Sequence, residues 1–362
     1  MIRSALSAFL LIPFGIAFAQ GIVIDHTCTG IEGIPETWIS AVRSTVQSHY
    51  AHTSHGSQLV YGLEFLEDDN PLYDCEIGYQ VLPTTAGAYC VFDGQETDTY
   101  ITPELYWETA EGLNLTRDVL DHNPALDTSM WGWCCQCDYY GESQVQAYLD
   151  AMTMLEGEYP GVTFIYFTGN AQATGAEGYG RHQRNDQIRE YCIANGKVLY
   201  DFADLDCWWY NPATSGWEQH TYSYGGTDVP SEHPQYYGDE YGHTTAESCR
   251  LKGRAWWWMM AVLAGWSPTG ISQGETGVGA GCALSMRSPV FVPFTVSVTA
   301  SEPTELTLSV YDVTGRRVLE VAEGVFGAGE HLFTVDHLPA GVFLVSLFDG
   351  STLSCRRTVV LG

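Results

Sequence analysis

The pattern of these 362 residues predicts two domains of different class: a doubly wound, mostly parallel α/β domain followed by a small β-sandwich. Three observations predict them. Between residues 20 and 268, short apolar runs alternate with longer amphipathic ones, as in a sheet wound with helices on both faces. Ser267 to Gly281 then turns rich in Gly, Ser, Thr and Pro, the composition of a linker. From Val290 onward, alternating strand-like runs recur at short spacing between Gly and Pro turns.

The elements follow in order. Ile22–Ile24 opens the sheet, Trp38 to Val46 has helical periodicity, and a strand surrounds His49–Thr53. Leu59, Val60, Leu63, Phe65 and Leu66 predict the next helix. Residues 68–128, rich in Gly, Asp, Thr and Tyr, read as a long elaborated loop region. Ser129–Trp133 predicts a central strand and Gln144–Leu155 a helix ended by Tyr159-Pro160-Gly161. Val162–Phe167 is a buried-type strand closed by Thr168-Gly169-Asn170. A helix over Asn185–Ala194 has Gly196 as its C-cap, Val198–Phe202 is a further strand, and 207–238 reads as loop. Thr245–Gly265 is the last helix, with Trp256-Trp257-Trp258 as core and wall. The second domain contributes strands at Phe294–Val298, Leu306–Tyr311, Arg317–Val321, His331–Val335, Val342–Leu347 and Thr358–Leu361.

Residues 1–19 read as a secretory leader: Arg3 is the basic end, Leu6–Phe18 is mostly apolar, and Ala17-Phe18-Ala19 fits small-x-small cleavage. No later apolar run has membrane length, so no membrane span is expected. The resulting division is a leader at 1–19, an α/β domain at 20–266, a linker at 267–285 and a β domain at 286–362. Charge is concentrated in the first domain. Residues 20–285 hold 36 acidic and 9 basic side chains, against 8 and 5 in 286–362. Such a body repels nucleic acid and anionic membranes and admits neutral or cationic ligands. The eleven cysteines suit an oxidising compartment. Cys134, Cys135 and Cys137 crowd together without a second pair at zinc spacing, so disulfides are expected, of undetermined connectivity.

The tail carries Tyr311-Asp312-Val313-Thr314-Gly315-Arg316-Arg317-Val318, Gly327-Ala328-Gly329-Glu330-His331 and Leu338-Pro339-Ala340-Gly341-Val342-Phe343, and Arg356-Arg357 precedes Val359-Val360-Leu361. It resembles the C-terminal sorting domain of proteins exported by the type IX secretion system. That resemblance implies an address read by the export machinery and a secreted or cell-surface location reached through the periplasm. The alternative is an ordinary immunoglobulin-like accessory domain.

The chemistry-bearing run is His52-Thr53-Ser54-His55-Gly56-Ser57-Gln58, set between a strand and a helix, where unpaired N–H groups favour developing negative charge. Helix capping by Ser54 or Ser57 is the competing role. Gly169-Asn170 follows a mid-chain strand and Glu240-x-x-His243 precedes the last helix. In doubly wound sheets, ligands gather at the carboxyl ends of the strands. With this order of residues the chain resembles the SGNH/GDSL hydrolase superfamily, a flavodoxin-like fold, over most of 45–268. His-Thr-Ser-His-Gly stands where that family has Gly-Asp-Ser-Leu, and Gly169-Asn170 lacks the family's following Asp.

The resemblance implies Ser54 as nucleophile, His243 as base, Glu240 as its carboxylate partner, and Asn170 with the Gly132 N–H as oxyanion donors. No cofactor and no metal are implied. Each residue has a bland alternative: Asn170 as a turn residue, His243 as a structural one, and Asp239 in place of Glu240. His52 and His55 also have His-x-x-His spacing, which suits zinc, without a third ligand at matching spacing. The expected function is a secreted serine esterase that deacylates an ester, with acylated polysaccharide as the candidate substrate. The rival is a non-catalytic glycan-binding or self-assembling surface protein on a degenerate hydrolase fold.

Overall fold

A computed structural model describes residues 21–266 and, toward the C-terminus, 282–286, 290–312, 317–338, 341–349 and 353–361. The expected leader and the linker stretch 267–281 lie outside the described residues. The chain divides into two compact units, Met1–Ser267 and Pro268–Gly362.

The first unit is an α/β fold around a seven-stranded, all-parallel sheet. Its strands are β1 (Ile22–Ile24), β2 (Gln47–His52), β3 (Cys75–Tyr79), β4 (Tyr89–Asp93), β5 (Thr128–Gly132), β6 (Thr163–Phe167) and β7 (Val198–Tyr200). They lie in the order β1-β7-β6-β5-β2-β4-β3. From β2 the chain winds one way through β4 and β3, then the other way through β5, β6 and β7. The β2–β5 junction is therefore the point where the winding reverses, and the carboxyl ends there leave a crevice. The central strands are buried on both faces because helices cover both. All five residues of β4 and of β5 are buried.

The helices are α1 (Glu36–Thr45), α2 (Ser57–Asp69), α3 (Pro103–Tyr106), α4 (Ala110–His122), α5 (Glu142–Glu158), α6 (Gly175–Ala194), α7 (Phe202–Cys207) and α8 (Ala246–Leu263). Trp256 and Trp257 are fully buried on α8 and anchor it to the sheet, Trp256 donating to the Tyr89 hydroxyl at 2.9 Å. Burying a side chain of this size contributes about 1.5–3 kcal/mol or more relative to exposure.

Two segments expected as loop are structured. Residues 68–128 hold β3, β4, α3 and α4. The buried face of α4 runs Gly112, Thr116, Val119, Leu120, so the helical period is present but half of it is written in non-apolar residues. The same concealment extends α6 ten residues ahead of its expected start: its buried face is Gly178, Arg181, Asn185, Ile188 and Cys192. Residues 207–238 fold into two antiparallel hairpins, β8 (Trp208–Asn211) with β9 (Gly216–Gln219), and β10 (Thr221–Tyr224) with β11 (Thr227–Pro230). Gly225 and Gly226, at φ +60° and +85°, make the two-residue turn of the second.

The second unit holds a three-stranded sheet, β12 (Cys282–Met286), β14 (Phe294–Ala300) and β17 (Gly329–Val335). Its five-stranded sheet comprises β13 (Val290–Phe291), β15 (Thr304–Asp312), β16 (Arg317–Phe326), β18 (Gly341–Phe348) and β19 (Leu353–Leu361). Pairing is antiparallel except between β13 and β19. Val296 and Val298 from one sheet and Leu308, Val310 and Val345 from the other share one buried core.

Among the described residues no disulfide forms, in contrast to the expectation for the cysteines. The described cysteines are mostly buried as thiols. No described helix is long and apolar enough to cross a membrane.

Candidate active site

The turn after β2 and the loop after β5 meet at the winding reversal. Gly56 is what lets the turn close: a Cβ there would stand 2.3 Å from His52 Cβ and 2.6 Å from the Tyr50 hydroxyl. With that close approach the Tyr50 hydroxyl donates to the Gly56 carbonyl at 2.9 Å. The backbone of 53–56 is thereby pinned onto the strand it has just left, and His55 is delivered toward the end of β5.

Cys134, two residues beyond β5, meets it. His55 Nδ1 lies 3.0 Å from Cys134 Sγ, and Ser54 Oγ lies 3.4 Å from the same sulfur. The other side of the imidazole is fixed by Gln172, whose Oε1 stands 2.8 Å from His55 Nε2. The Gln172 amine donates to Glu232 Oε1 at 3.2 Å and to the His243 carbonyl at 2.5 Å. With its amine facing two acceptors, Gln172 presents oxygen to His55. The Nε2 proton is therefore held there, and Nδ1 is left to exchange a proton with the sulfur.

The electrostatics follow this geometry. Burial pushes the Cys134 thiol up, but the bond and charge of His55, with the Ser54 and Thr53 hydroxyls, outweigh it and bring it down to about 5. Burial works against a charged His55, yet the Cys134 bond and charge and the Gln172 bond hold its imidazole above the ordinary histidine value. The two shifts describe one thiolate–imidazolium pair. The neighbouring exposed Cys135 is pushed up to about 11 by burial and by the Cys134 charge. Beneath Gln172, the buried Glu232 carboxyl is raised to about 7 by burial and by Asp206. Asp206 is itself 2.7 Å from the fully buried Lys252 ammonium, an ion pair outside hydrogen-bond alignment.

The residues expected to act do gather around this pair, in altered roles. Ser54 stands beside the sulfur. Ser57 Oγ donates to the Ser54 carbonyl at 2.6 Å, a local bond within the turn. Asn170 follows β6 and donates through Nδ2 to the Cys134 carbonyl at 2.7 Å, while its Oδ1 accepts from Gln172 N at 2.9 Å. It thus fixes both the nucleophile loop and the residue that orients His55. Gly132 ends β5, where a Cβ would stand 2.7 Å from the Tyr50 hydroxyl, so its lack of a side chain makes room for the bond that pins the turn.

His243 makes no hydrogen bond to Ser54 among the described residues. Its ring lies 4.8 Å from the His55 ring, tilted by 35°. The carboxylate on its Nδ1 is Asp239 at 3.0 Å, which corrects the expected partner Glu240. Gly242 and His243, both left-handed at φ +63° and +70°, turn the chain so that position 239 faces the ring. Glu240 Oε2 instead accepts from Asp239 N at 3.1 Å.

His52, the other half of the His-x-x-His spacing, points away toward Asp93, its Nε2 3.1 Å from Asp93 Oδ1. Asp201, Asp204 and Asp206 each have a protein partner, in Arg189, His26 and Lys252. Arg181 is buried and ties the Ala173 and Pro230 carbonyls together behind the site.

Sequence reading weighed Cys134 for a disulfide or metal and His55 for a zinc spacing with His52, and did not pair the two with each other. The available signal was position: a cysteine directly after a buried central strand, and a histidine beside the expected nucleophile.

No family model and no curated protein matches the chain. Among solved structures, it is similar to an engineered protein at 13% identity and TM-score 0.22, over 85% of this chain and 60% of that one. An FMN-binding beta-glucuronidase from Facaelibacterium prausnitzii L2-6 aligns at 8% identity and TM-score 0.22, over 88% and 47%. A Cellulomonas fimi endo-beta-1,4-mannanase double mutant aligns at 10% identity and TM-score 0.22, over 85% and 59%. The chain spans less than two thirds of each of these structures, and likenesses at this level carry no argument about fold or activity.

Proposed function

We propose that the α/β domain is a secreted acyl-ester hydrolase of SGNH-like layout in which Cys134, not Ser54, is the nucleophile. The observation that carries this is the His55 imidazole held between Cys134 Sγ at 3.0 Å and Gln172 Oε1 at 2.8 Å. A nucleophile, a base within reach and a group orienting the base form the arrangement that acyl transfer needs.

The Cys134 thiolate attacks the ester carbonyl, forming a C–S bond. The C–O bond breaks as His55 Nδ1 gives its proton to the departing alkoxide. Water then attacks the thioester while His55 takes its proton, releasing the carboxylic acid and restoring the thiolate. The Ser54 hydroxyl and the N-terminus of α2 favour negative charge at the sulfur and the carbonyl oxygen. His243, with Asp239 on Nδ1, stands on the open side of His55 as a second proton carrier. A polysaccharide-borne acyl group is the proposed ester. The meeting of Ser54 and His55 at one thiol, with Asn170 on its backbone carbonyl and Glu232 and His243 holding Gln172, favours this reading over a non-catalytic binding protein.

A panel of aryl and acetyl-sugar esters tests it. Turnover should vanish in Cys134→Ala, and an electrophilic ester analogue should label the Cys134 peptide. Labelling by a serine-directed phosphonate that survives Cys134→Ala and disappears in Ser54→Ala would return the nucleophile to Ser54.

For the second unit, the proposed role is a β-sandwich sorting domain for type IX export, supported by its shared two-sheet core and by the tail motifs. In the native host, a chain lacking 286–362 should stay in the periplasm; surface display of that truncated chain would overturn the assignment.

A further inference from the structure

A cleft of about 340 Å³ opens beside the thiol and shares Ser54 as a wall with it. Its floor is made by the ends of β2 and β4. There His52 and Asp93, 8% and 2% exposed, face each other at 3.1 Å without hydrogen-bond alignment. Its sides are Tyr61 and Glu64 from α2, Tyr79 at the end of β3, and Tyr100. Tyr79 and Tyr100 are 57% and 54% exposed and so open to a ligand.

The charge in this cleft is unbalanced. No Lys or Arg lines it, and the Glu64 carboxylate forms neither a hydrogen bond nor an ion pair among the described residues. Burial first, then the Asp68 and Asp93 charges, push the Glu64 carboxyl above its ordinary value, the shift that a bound cation reverses. The Glu64 carboxylate and three tyrosines lining one space, with Asp93 below, form a surface complementary to an ammonium group. The rings attract it through their negative faces and the carboxylates through charge. A neutral sugar would stack on the same rings but would leave the Glu64 carboxylate uncompensated.

We propose that this cleft seats an ammonium-bearing substituent of the substrate against Tyr61, Tyr79, Tyr100 and Glu64. The proposal rests on the Cys134 reading for the ester bond broken next to it. The substrate class is then a cationic acyl ester, with its charge on the acyl or the alcohol side.

Matched ester pairs test this: Nα-acetyl-lysine against Nα-acetyl-norleucine on the acyl side, choline against 3,3-dimethylbutanol on the alcohol side. One cationic member should be preferred by about tenfold or more in kcat/KM, and Glu64→Gln should bring that ratio toward one. Equal kcat/KM within both pairs, or a preference unchanged in Glu64→Gln, overturns the proposal. A second arm does not depend on turnover. Benzyltrimethylammonium titrated into Cys134→Ala protein should bind saturably, and the added Glu64→Gln change should weaken that binding about tenfold or more. Binding without turnover of any ester supports the cleft and removes the hydrolase reading; absence of binding overturns the cleft whatever the esters do.

Discussion

Replacing His55 by Ala removes the group that makes Cys134 acidic while leaving the burial that opposes it. In the intact protein the thiol ionises at about 5 despite burial, because His55, Ser54 and Thr53 favour the thiolate. Without the imidazole the thiol should ionise at or above the ordinary cysteine value of about 8.5. At pH 6 the thiolate fraction then falls from roughly 90% to well under about 1%. Rate at neutral pH is a poor readout of this change. A thiolate of higher pKa is intrinsically more nucleophilic, by a factor on the order of 30 over this interval, which nearly offsets its scarcity at pH 7. The midpoint of the rate–pH profile is diagnostic. Iodoacetamide alkylation of the Cys134 peptide, followed by mass spectrometry from pH 4 to 10, should show a midpoint near 5 in the natural protein. In a folded His55→Ala variant it should move above about 8.5. Labelling at low pH is selective, because burial pushes thiols such as Cys28 and Cys249 up to about 11. A midpoint that stays near 5 without His55, or lies above about 8.5 in the natural protein, refutes the thiolate–imidazolium pair.

Ester turnover should rise with pH through about 5 as Cys134 ionises, and fall again above the raised His55 value as the imidazolium proton is lost, a bell measurable in kcat/KM. Ser54→Ala should lower kcat by about tenfold and Cys134→Ala by about three orders of magnitude or more, as steady-state kinetics would read. Glu232 ionises near 7 when folded and near 4.5 otherwise, so the folded state binds the extra proton between those values and stability falls as pH rises through that window. Glu232→Gln should remove this fall, giving a protein more resistant to urea than the natural one at pH 8 but not at pH 4. Lys252→Met leaves Asp206 buried without its cation and should cost about 3–5 kcal/mol in chemical denaturation.

The parallel sheet was legible because β6 and β7 carry runs of apolar residues that admit few other placements. The helices α4 and α6 were not, because glycine, threonine, arginine and asparagine occupy their inner faces, where Arg181 and Asn185 find buried partners. Those partners are long-range and have no local signature. The site was half legible. Ser54 and Asn170 were picked out from their places after strands and the 239–243 segment from its place before the last helix, and they meet Cys134, its carbonyl and the His55 ring in turn. The exchange of His243 for His55 at the nucleophile, and of Asp239 for Glu240, depends on which way two short turns face. A left-handed pair such as Gly242–His243 sets that direction, and spacing along the chain does not reveal it.

The pinning of the 53–56 turn against β2 has a consequence for the chain before it is folded. Cys134 owes its acidity to a histidine 79 positions away, brought near only when the middle of a parallel sheet has formed. Parallel pairing of this kind assembles late, since long loops must close first. A chain still unfolded carries an ordinary, largely protonated thiol at neutral pH. Reactivity therefore switches on with the last steps of folding, and a nascent polypeptide is spared the side reactions that a preformed thiolate would invite.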